Sequence, residues 1–474
     1  MPTLFILIPF VAILILNLFY SKRIKHIAFW ISISVAIIQI LLSSAIIFQI
    51  SKDLLSRIEI NYFVGFSIDF YCSVVLFTIG LISFIALMVR KYTSDEIFNF
   101  SNLILIIIIG MNGVAMVTDI FSLYVFLEVT ATASFILIAK SKELTSLNGS
   151  FKYFLMSSIA TVLLLTGIGI LYMTFGSLNY SVLSEGLSNL KPIPLQLLVA
   201  FVFLIAGLSI KSGLVPFHMW VPDAYSYADS SVSVLLAGIV TKAGGIYAFL
   251  RLSKDVFADI TIFHDVIAFI AIISIVIGAL LAIGQKDFKR LLAYSSISQI
   301  GYIIIGAACA TPLGILGAFF HFFNHATFKS LLFVNAAAVE TQTSTRDLDR
   351  LQGLSYKMKI TGGTSVVGFL SAAGIPPLAG FWSKLIIILA LWQVGYHSYA
   401  VIALLASILT LAYFLILQQK VFFRKLPEDT EGIGNIKDGN KGLSFSELLL
   451  AIIIILVGIG SPFILVFLRS KGLF

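Results

Sequence analysis

The chain is expected to fold as an all-α polytopic membrane protein with about fourteen transmembrane helices. Three observations carry this expectation. The 474 residues are 59% hydrophobic and only 11% charged, whereas a soluble domain carries roughly 25% charge. Apolar runs of about 20 residues, the length that spans a hydrocarbon core, recur from end to end. Four lysines, Lys211, Lys242, Lys329 and Lys384, lie inside such runs, where each costs roughly 2.5–3.5 kcal/mol on insertion scales.

Taken in order, windows of about 19 residues place spans at 3–20, 27–50, 69–89, 100–117, 119–139, 152–176 and 193–225, then at 228–252, 260–284, 290–310, 312–339, 360–395, 398–424 and 444–468. The first run is followed by Ser21-Lys22-Arg23-Ile24-Lys25 and has no small-residue cleavage site, so it reads as a retained helix rather than a signal peptide. Three runs, 193–225, 312–339 and 360–395, are too long for one straight crossing and are expected to be interrupted. Ser212-Gly213 with Pro216 marks the first break, and Gly374-Ile375-Pro376-Pro377 marks the last. Numbered by span, these are broken helices 7 and 12.

The charged loops orient the chain. Alternate loops beginning with 21–25 hold twenty lysines and arginines, including Arg90, Lys91, Lys140, Lys142, Lys152, Lys289 and Lys425. The opposite set holds seven: Lys52, Arg57, Lys191, Arg251, Lys254, Arg469 and Lys471. The positive-inside rule then puts both termini on the outer side of a prokaryotic cytoplasmic membrane, with an even number of spans. The net charge of +8 therefore belongs to topology and not to nucleic-acid binding.

Four segments follow: an N-terminal three-helix segment at 1–99, a five-span unit at 100–252, another at 260–424, and a loop with a last helix at 425–474. Each five-span unit has a broken fourth member, and an odd number of spans makes consecutive copies inverted. The polar stretch Pro427 to Lys441 reads as a cytoplasmic loop.

Intramembrane ionisable groups beside broken helices mark an ion or proton pathway. Glu128 sits near the middle of its run and needs a cation or hydrogen-bond donors beside it, because desolvation penalises a carboxylate. Lys211 precedes the first break, where freed backbone groups call for a hydrated cavity; the alternative is snorkelling to an interface. Lys242 adjoins the Gly244-Gly245 pair. His321, His325 and Lys329 share one helical face. The two histidines read as a proton relay ahead of a packed polar cluster, and zinc is disfavoured for want of a third ligand. Lys384 follows the double-proline break. An entry path is assigned to His218, Asp223 and Asp229, with Asp223 equally placed to cap the next helix. Ser295, Ser298 and Gln299 suit either a water-lined contact or simple interhelical hydrogen bonds.

No phosphate-binding loop, dinucleotide fingerprint or cysteine cluster occurs. Cys72 and Cys309 lie far apart, cannot build an iron–sulfur cluster alone, and read as two packed thiols. No cofactor and no metal are expected in this chain, so the energy must come from an ion gradient or from a partner.

The strings FLEVTATASFILIA, GLSIKSGLVPFHMWVPDAYSYADSSVSVLLAGIVTKAGGIYAFLRL, QKDFKRLLAYSSISQIGYIIIG, HFFNHATFKSLLF and GIPPLAGFWSK resemble the antiporter-like membrane subunit family. That family is shared by respiratory complex I, membrane-bound hydrogenases and multisubunit Mrp-type sodium/proton antiporters. The resemblance covers roughly residues 65 to 425. It implies fourteen helices in two inverted five-helix repeats. By the same resemblance, Glu128 and Lys211 match the family's charged pair, Lys242 its central lysine, His321, His325 and Lys329 its histidine relay, and Lys384 its broken-twelfth-helix residue. The implied function is proton or sodium/proton translocation in a multisubunit complex, coupled to a hydrogenase, ferredoxin or NADH dehydrogenase arm or to a sodium gradient. The implied partners are other integral membrane subunits and a peripheral redox arm, within a lipid bilayer and without nucleic acid. The alternative is a stand-alone secondary transporter of a small solute. Two departures stand out. Asp229 occupies the place where the family commonly has proline, and the chain ends soon after the last span without the long C-terminal arm of the largest members.

Overall fold

A computed structural model describes residues 1–18, 22–54, 56–61, 64–89, 94–141, 143–190, 192–424 and 436–474. Ser21, Arg90, Lys91, Lys142, Lys191, Lys425 and most of the 427–441 loop lie outside the described residues. Among the described residues there are seventeen helices, eleven of them long and apolar enough to cross a bilayer. They are α1 Leu4–Leu18, α2 Lys22–Ile50, α3 Phe70–Val89, α4 Ser94–Met116, α5 Ile120–Ala139, α6 Leu144–Phe175, α7 Tyr180–Ser188, α8 Leu195–Ser212 and α9 Trp220–Tyr227. There follow α10 Ser230–Asp255, α11 Thr261–Ile283, α12 Phe288–Ala308, α13 Pro312–Thr343, α14 Lys359–Ala373, α15 Ala379–Gln393, α16 His397–Phe423 and α17 Lys441–Ser470.

Helix covers each of the fourteen expected runs, with three corrections. The 312–339 run is not interrupted: α13 continues for 32 residues, from the Thr311 cap to Ser344. The length of the run suggests a break, but its polar residues are buried against neighbouring helices, so the backbone ladder has no reason to open. The chain is also not purely helical, since an antiparallel hairpin, β1 Ile58–Asn61 with β2 Gly65–Ile68, precedes α3. Finally, α6 starts at Leu144 instead of 152 and carries Lys152 inside it, so that lysine is not a loop residue.

The two expected breaks are present and share a design. Gly213 ends α8 at φ +70, and Gly374 ends α14 at φ +83, both in the left-handed region that only glycine adopts freely. A Cβ on Gly213 would also strike Val221, and one on Gly374 would press on the stem of Lys384. Each break includes a cis proline bond, Val215–Pro216 and Pro376–Pro377. The chain then resumes as α9 and α15.

Helices α10 and α12 are enclosed almost completely. Helix α13 packs on α3, α10, α12, α14, α15 and α17 and forms the centre of the molecule. By contrast α1, α2, α6, α16 and α17 turn large apolar side chains outward, among them Trp30, Phe48, Val162, Leu404, Ile408 and Phe463. That is the inside-out distribution of a protein solvated by lipid. Cys72 and Cys309 are free and buried.

Candidate functional site

Glu128 projects midway along α5, and Lys211 occupies the last turn of α8, next to the first break. Lys211 Nζ donates to Glu128 Oε1 at 2.8 Å and to Ser157 Oγ on α6 at 2.7 Å. The Thr161 hydroxyl donates to the same carboxylate oxygen at 2.7 Å. The lysine side chain is 3% exposed, but the glutamate is 27% exposed. Three helices thus converge on one ion pair whose carboxylate is partly exposed and whose ammonium is buried. Among the described residues, Glu128 is the one carboxylate paired with that ammonium.

Lys242 lies in α10 at the start of the second of two π-helical stretches, Leu236–Val240 and Lys242–Ile246. Widening the helix frees carbonyls from the regular ladder, and Lys242 Nζ donates to one of them, Ala237 O. Gly245 makes room for the backbone of Lys211 and Ser212, so α10 sits directly against the end of α8. Gly245 therefore brings the helix that carries the second lysine against the first break.

From there the line continues through α13. The His321 and His325 rings stack at 6.1 Å between centroids with planes 2° apart. His321 Nδ1 is 2.9 Å from Ser383 Oγ at the start of α15. Lys242, Lys329 and Lys384 all lie within electrostatic reach of His325. One turn on, Lys329 donates to Leu292 O at 3.0 Å and to the Ser295 hydroxyl of α12. Lys384 donates to Ala372 O, one of the carbonyls at the second break, at 2.8 Å, and its ammonium lies 4.7 Å from the Tyr302 ring. Ser298 bonds Ile275 O and Gln299 meets Thr410, which are interhelical bonds within the protein. A row of protonatable groups, with hydroxyls and carbonyls between them, crosses the interior from α5 to α15.

The expected entry residues separate. His218 is buried at the first break and meets Tyr294 edge-on. Asp223 does not cap a helix: it lies inside the first turn of α9, where Lys152 Nζ at 2.5 Å and Arg290 at 3.0 Å hold it. Asp229 takes the cap position of α10 without a side-chain cap bond and lines a cavity of about 700 Å³ with Glu143, Ser230, Asp287, Lys289 and Glu340. The Lys289–Glu340 pair at 2.7 Å, bridged by Ser230, was missed at the sequence level because Lys289 reads as a loop charge.

At the opposite ends of α3 and α10, Arg251 is buried against Asp69 and Asp255 rather than exposed in a loop. Burial alone would raise the Asp69 carboxyl, but Arg251 and Lys254 hold it well below the usual carboxylate range. A depressed folded-state value contributes stability above the ordinary carboxyl range and loses it only as pH falls through the depressed value. Asp69→Asn is accordingly expected to cost about 3–5 kcal/mol, because it leaves a buried guanidinium short of charge. A thermal-unfolding midpoint equal to wild type at pH 7 would refute this.

The chain is similar in sequence and in fold to known proteins. Residues 117–410 match the family model described as NADH:quinone oxidoreductase/Mrp antiporter, transmembrane. The chain is 35% identical to the NADH-quinone oxidoreductase subunit N of Desulforudis audaxviator, over 71% of this chain and 67% of that one. It is 33% identical to a Na(+)/H(+) antiporter subunit of Alkalihalophilus pseudofirmus, over 73% and 70%. Its fold superposes on a chain of the Mrp complex from Dietzia sp. with a TM-score of 0.88, covering 100% of this chain and 96% of that one at 23% identity.

Proposed function

The chain belongs to the NADH:quinone oxidoreductase/Mrp antiporter membrane family, and from that premise we propose that it translocates protons, or exchanges sodium for protons, as one subunit of a larger membrane complex. The observation that carries this reading is the series of ionisable groups inside the helix bundle, from partly exposed Glu128 to buried Lys211, Lys242, His325 with His321, Lys329 and Lys384. A unit charge moved at one end changes the field on the next site through a low-dielectric interior. Release or gain of a proton at the Glu128–Lys211 pair thereby shifts the proton on Lys242, then on the histidines and Lys329, then on Lys384. The Asp229 cavity, lined also by Lys286, Lys289, Arg346 and Glu340, is assigned in this reading as the entrance to the row from the side of the basic loops.

The same reading assigns fourteen spans, with two inverted repeats at 100–252 and 260–424 broken at Gly213 and Gly374. The shared design of the two breaks supports it. It puts both termini outside. It also calls for a partner, because a 27% exposed carboxylate halfway along α5 would otherwise face hydrocarbon. A neighbouring helical subunit over α5 and α6 removes that cost.

Purification from native membranes followed by mass spectrometry tests the assembly. Hydrogenase or dehydrogenase subunits in the complex are expected for redox-driven pumping, and small hydrophobic subunits alone for gradient-driven antiport. A chain that purifies alone and carries a small solute would overturn the proposal.

A further inference from the structure

Glu447 takes no part in the row described above, yet it is fully buried in the second turn of α17. Its two oxygens accept from neutral donors, Asn335 Nδ2 of α13 at 2.8 Å and Thr361 Oγ1 of α14 at 3.2 Å. Asn335 also donates to Thr364 Oγ1 at 2.9 Å, and its own Oδ1 has no partner among the described residues. Among the described residues no cation pairs with Glu447, so a carboxylate there would lose its water and gain no counter-charge. With a proton on it, Glu447 has an O–H to donate, and the unpartnered Asn335 Oδ1 is an acceptor beside it.

The surroundings lead in two directions. Toward the surface, Leu443 and Asn440 line a cavity of about 490 Å³ with Asp229, Ser231 and Thr341, and Leu443 is one turn from Glu447. Half-buried Asp438 caps the start of α14 by accepting from the amides of Ile360 and Thr361, at 3.0 and 3.2 Å. Toward the interior, Ser365 lies one turn beyond Thr361 and donates to Gln418 Oε1 at 3.1 Å. Gln418 Nε2 has no partner among the described residues. One turn back along α16 is Phe414, whose ring centroid is 5.7 Å from the Lys329 ammonium. Asn335 itself stands six residues, about 9 Å, along α13 from Lys329.

We propose that Glu447 is a proton-binding site through which the Asp438 face of the molecule supplies the row at Lys329. The proposal rests on the translocation reading above. As a carboxylate, Glu447 takes a proton from a hydronium ion in the water on the Asp438 side: one O–H bond of the hydronium breaks, the acid O–H forms, and a water molecule is left behind. It then gives that proton up inward, where the Lys329 amine becomes an ammonium. Atoms and charge balance, and no redox partner is needed.

The experiment uses the assembled complex purified from native membranes. Infrared difference spectra between wild type and Glu447→Gln at pH 7 are expected to show the carbonyl band of a protonated carboxylic acid in wild type only. Gln keeps an oxygen for the Asn335 amide and turns its NH2 to the Thr361 hydroxyl, which can accept instead of donate, but it cannot carry the proton, so proton-coupled transport in reconstituted vesicles is expected to fall roughly tenfold or more. Glu447→Asp is expected to restore most of it. If Glu447→Gln does not assemble, the band must shift in Glu447→Asp. No carboxylic-acid difference, or wild-type transport in Glu447→Gln, would overturn the proposal. Normal transport in Glu128→Gln would instead overturn the translocation reading and leave the infrared result on Glu447 standing.

Discussion

Glu128→Gln is expected to reduce proton-coupled transport by roughly a hundredfold or more while the chain inserts at wild-type levels. The substitution preserves shape and the Thr161 contact but removes the negative charge 2.8 Å from the Lys211 ammonium. Breaking one side of a buried pair costs about 3–5 kcal/mol, because the other charge is left uncompensated. At about 1.4 kcal/mol per tenfold, that is a change of roughly two to three decades in the occupancy on which transport depends. Lys211→Ala removes the other partner and should have the same effect. The measurement is the collapse of a pH gradient in inverted vesicles, reported by a dye and normalised to protein level by immunoblot. Normal transport in either variant would sink the scheme.

Lys242→Met is expected to move activity and stability in opposite directions. Lys242 is almost wholly buried in α10, and its hydrogen-bond partner is the neutral carbonyl of Ala237. An ammonium there has lost water and gained no carboxylate, which costs several kcal/mol. Met keeps the length of the side chain and fills the same space without that cost, so the thermal midpoint should stay or rise by the equivalent of about 1–4 kcal/mol. Transport should nevertheless fall to background, since the proton loses its station between Lys211 and the His325 cluster. A variant that loses both activity and stability would show Lys242 to be structural.

The spans were legible because hydrophobicity is summed over neighbours in the chain, and 20 apolar residues mean one crossing wherever they pack. The breaks at Gly213 and Gly374 were legible for a related reason, since proline removes a donor and glycine tolerates a left-handed turn irrespective of tertiary context. The unbroken course of α13 was not legible. His321, Asn324, His325 and Lys329 look like an interruption until α12, α14 and α15 are seen to bury them. The β1–β2 hairpin escaped notice as well, because its strands are only four residues long.

The candidate site divides along the same line. Glu128, Lys211, Lys242, Lys329 and Lys384 could each be singled out as a charge in an apolar run, whereas Glu447 and Glu340 sit near run ends, where an acid carries no such signal. Sequence alone determined which groups bear a desolvation cost, because that penalty belongs to each residue by itself. Only the tertiary structure decided which of them meet: Glu128 with Lys211, Lys289 with Glu340, and Glu447 with Asn335 and Thr361 instead of any cation. Coulomb and hydrogen-bond energies change over a few ångströms, and such distances depend on the rotation and packing of helices that lie far apart in the chain.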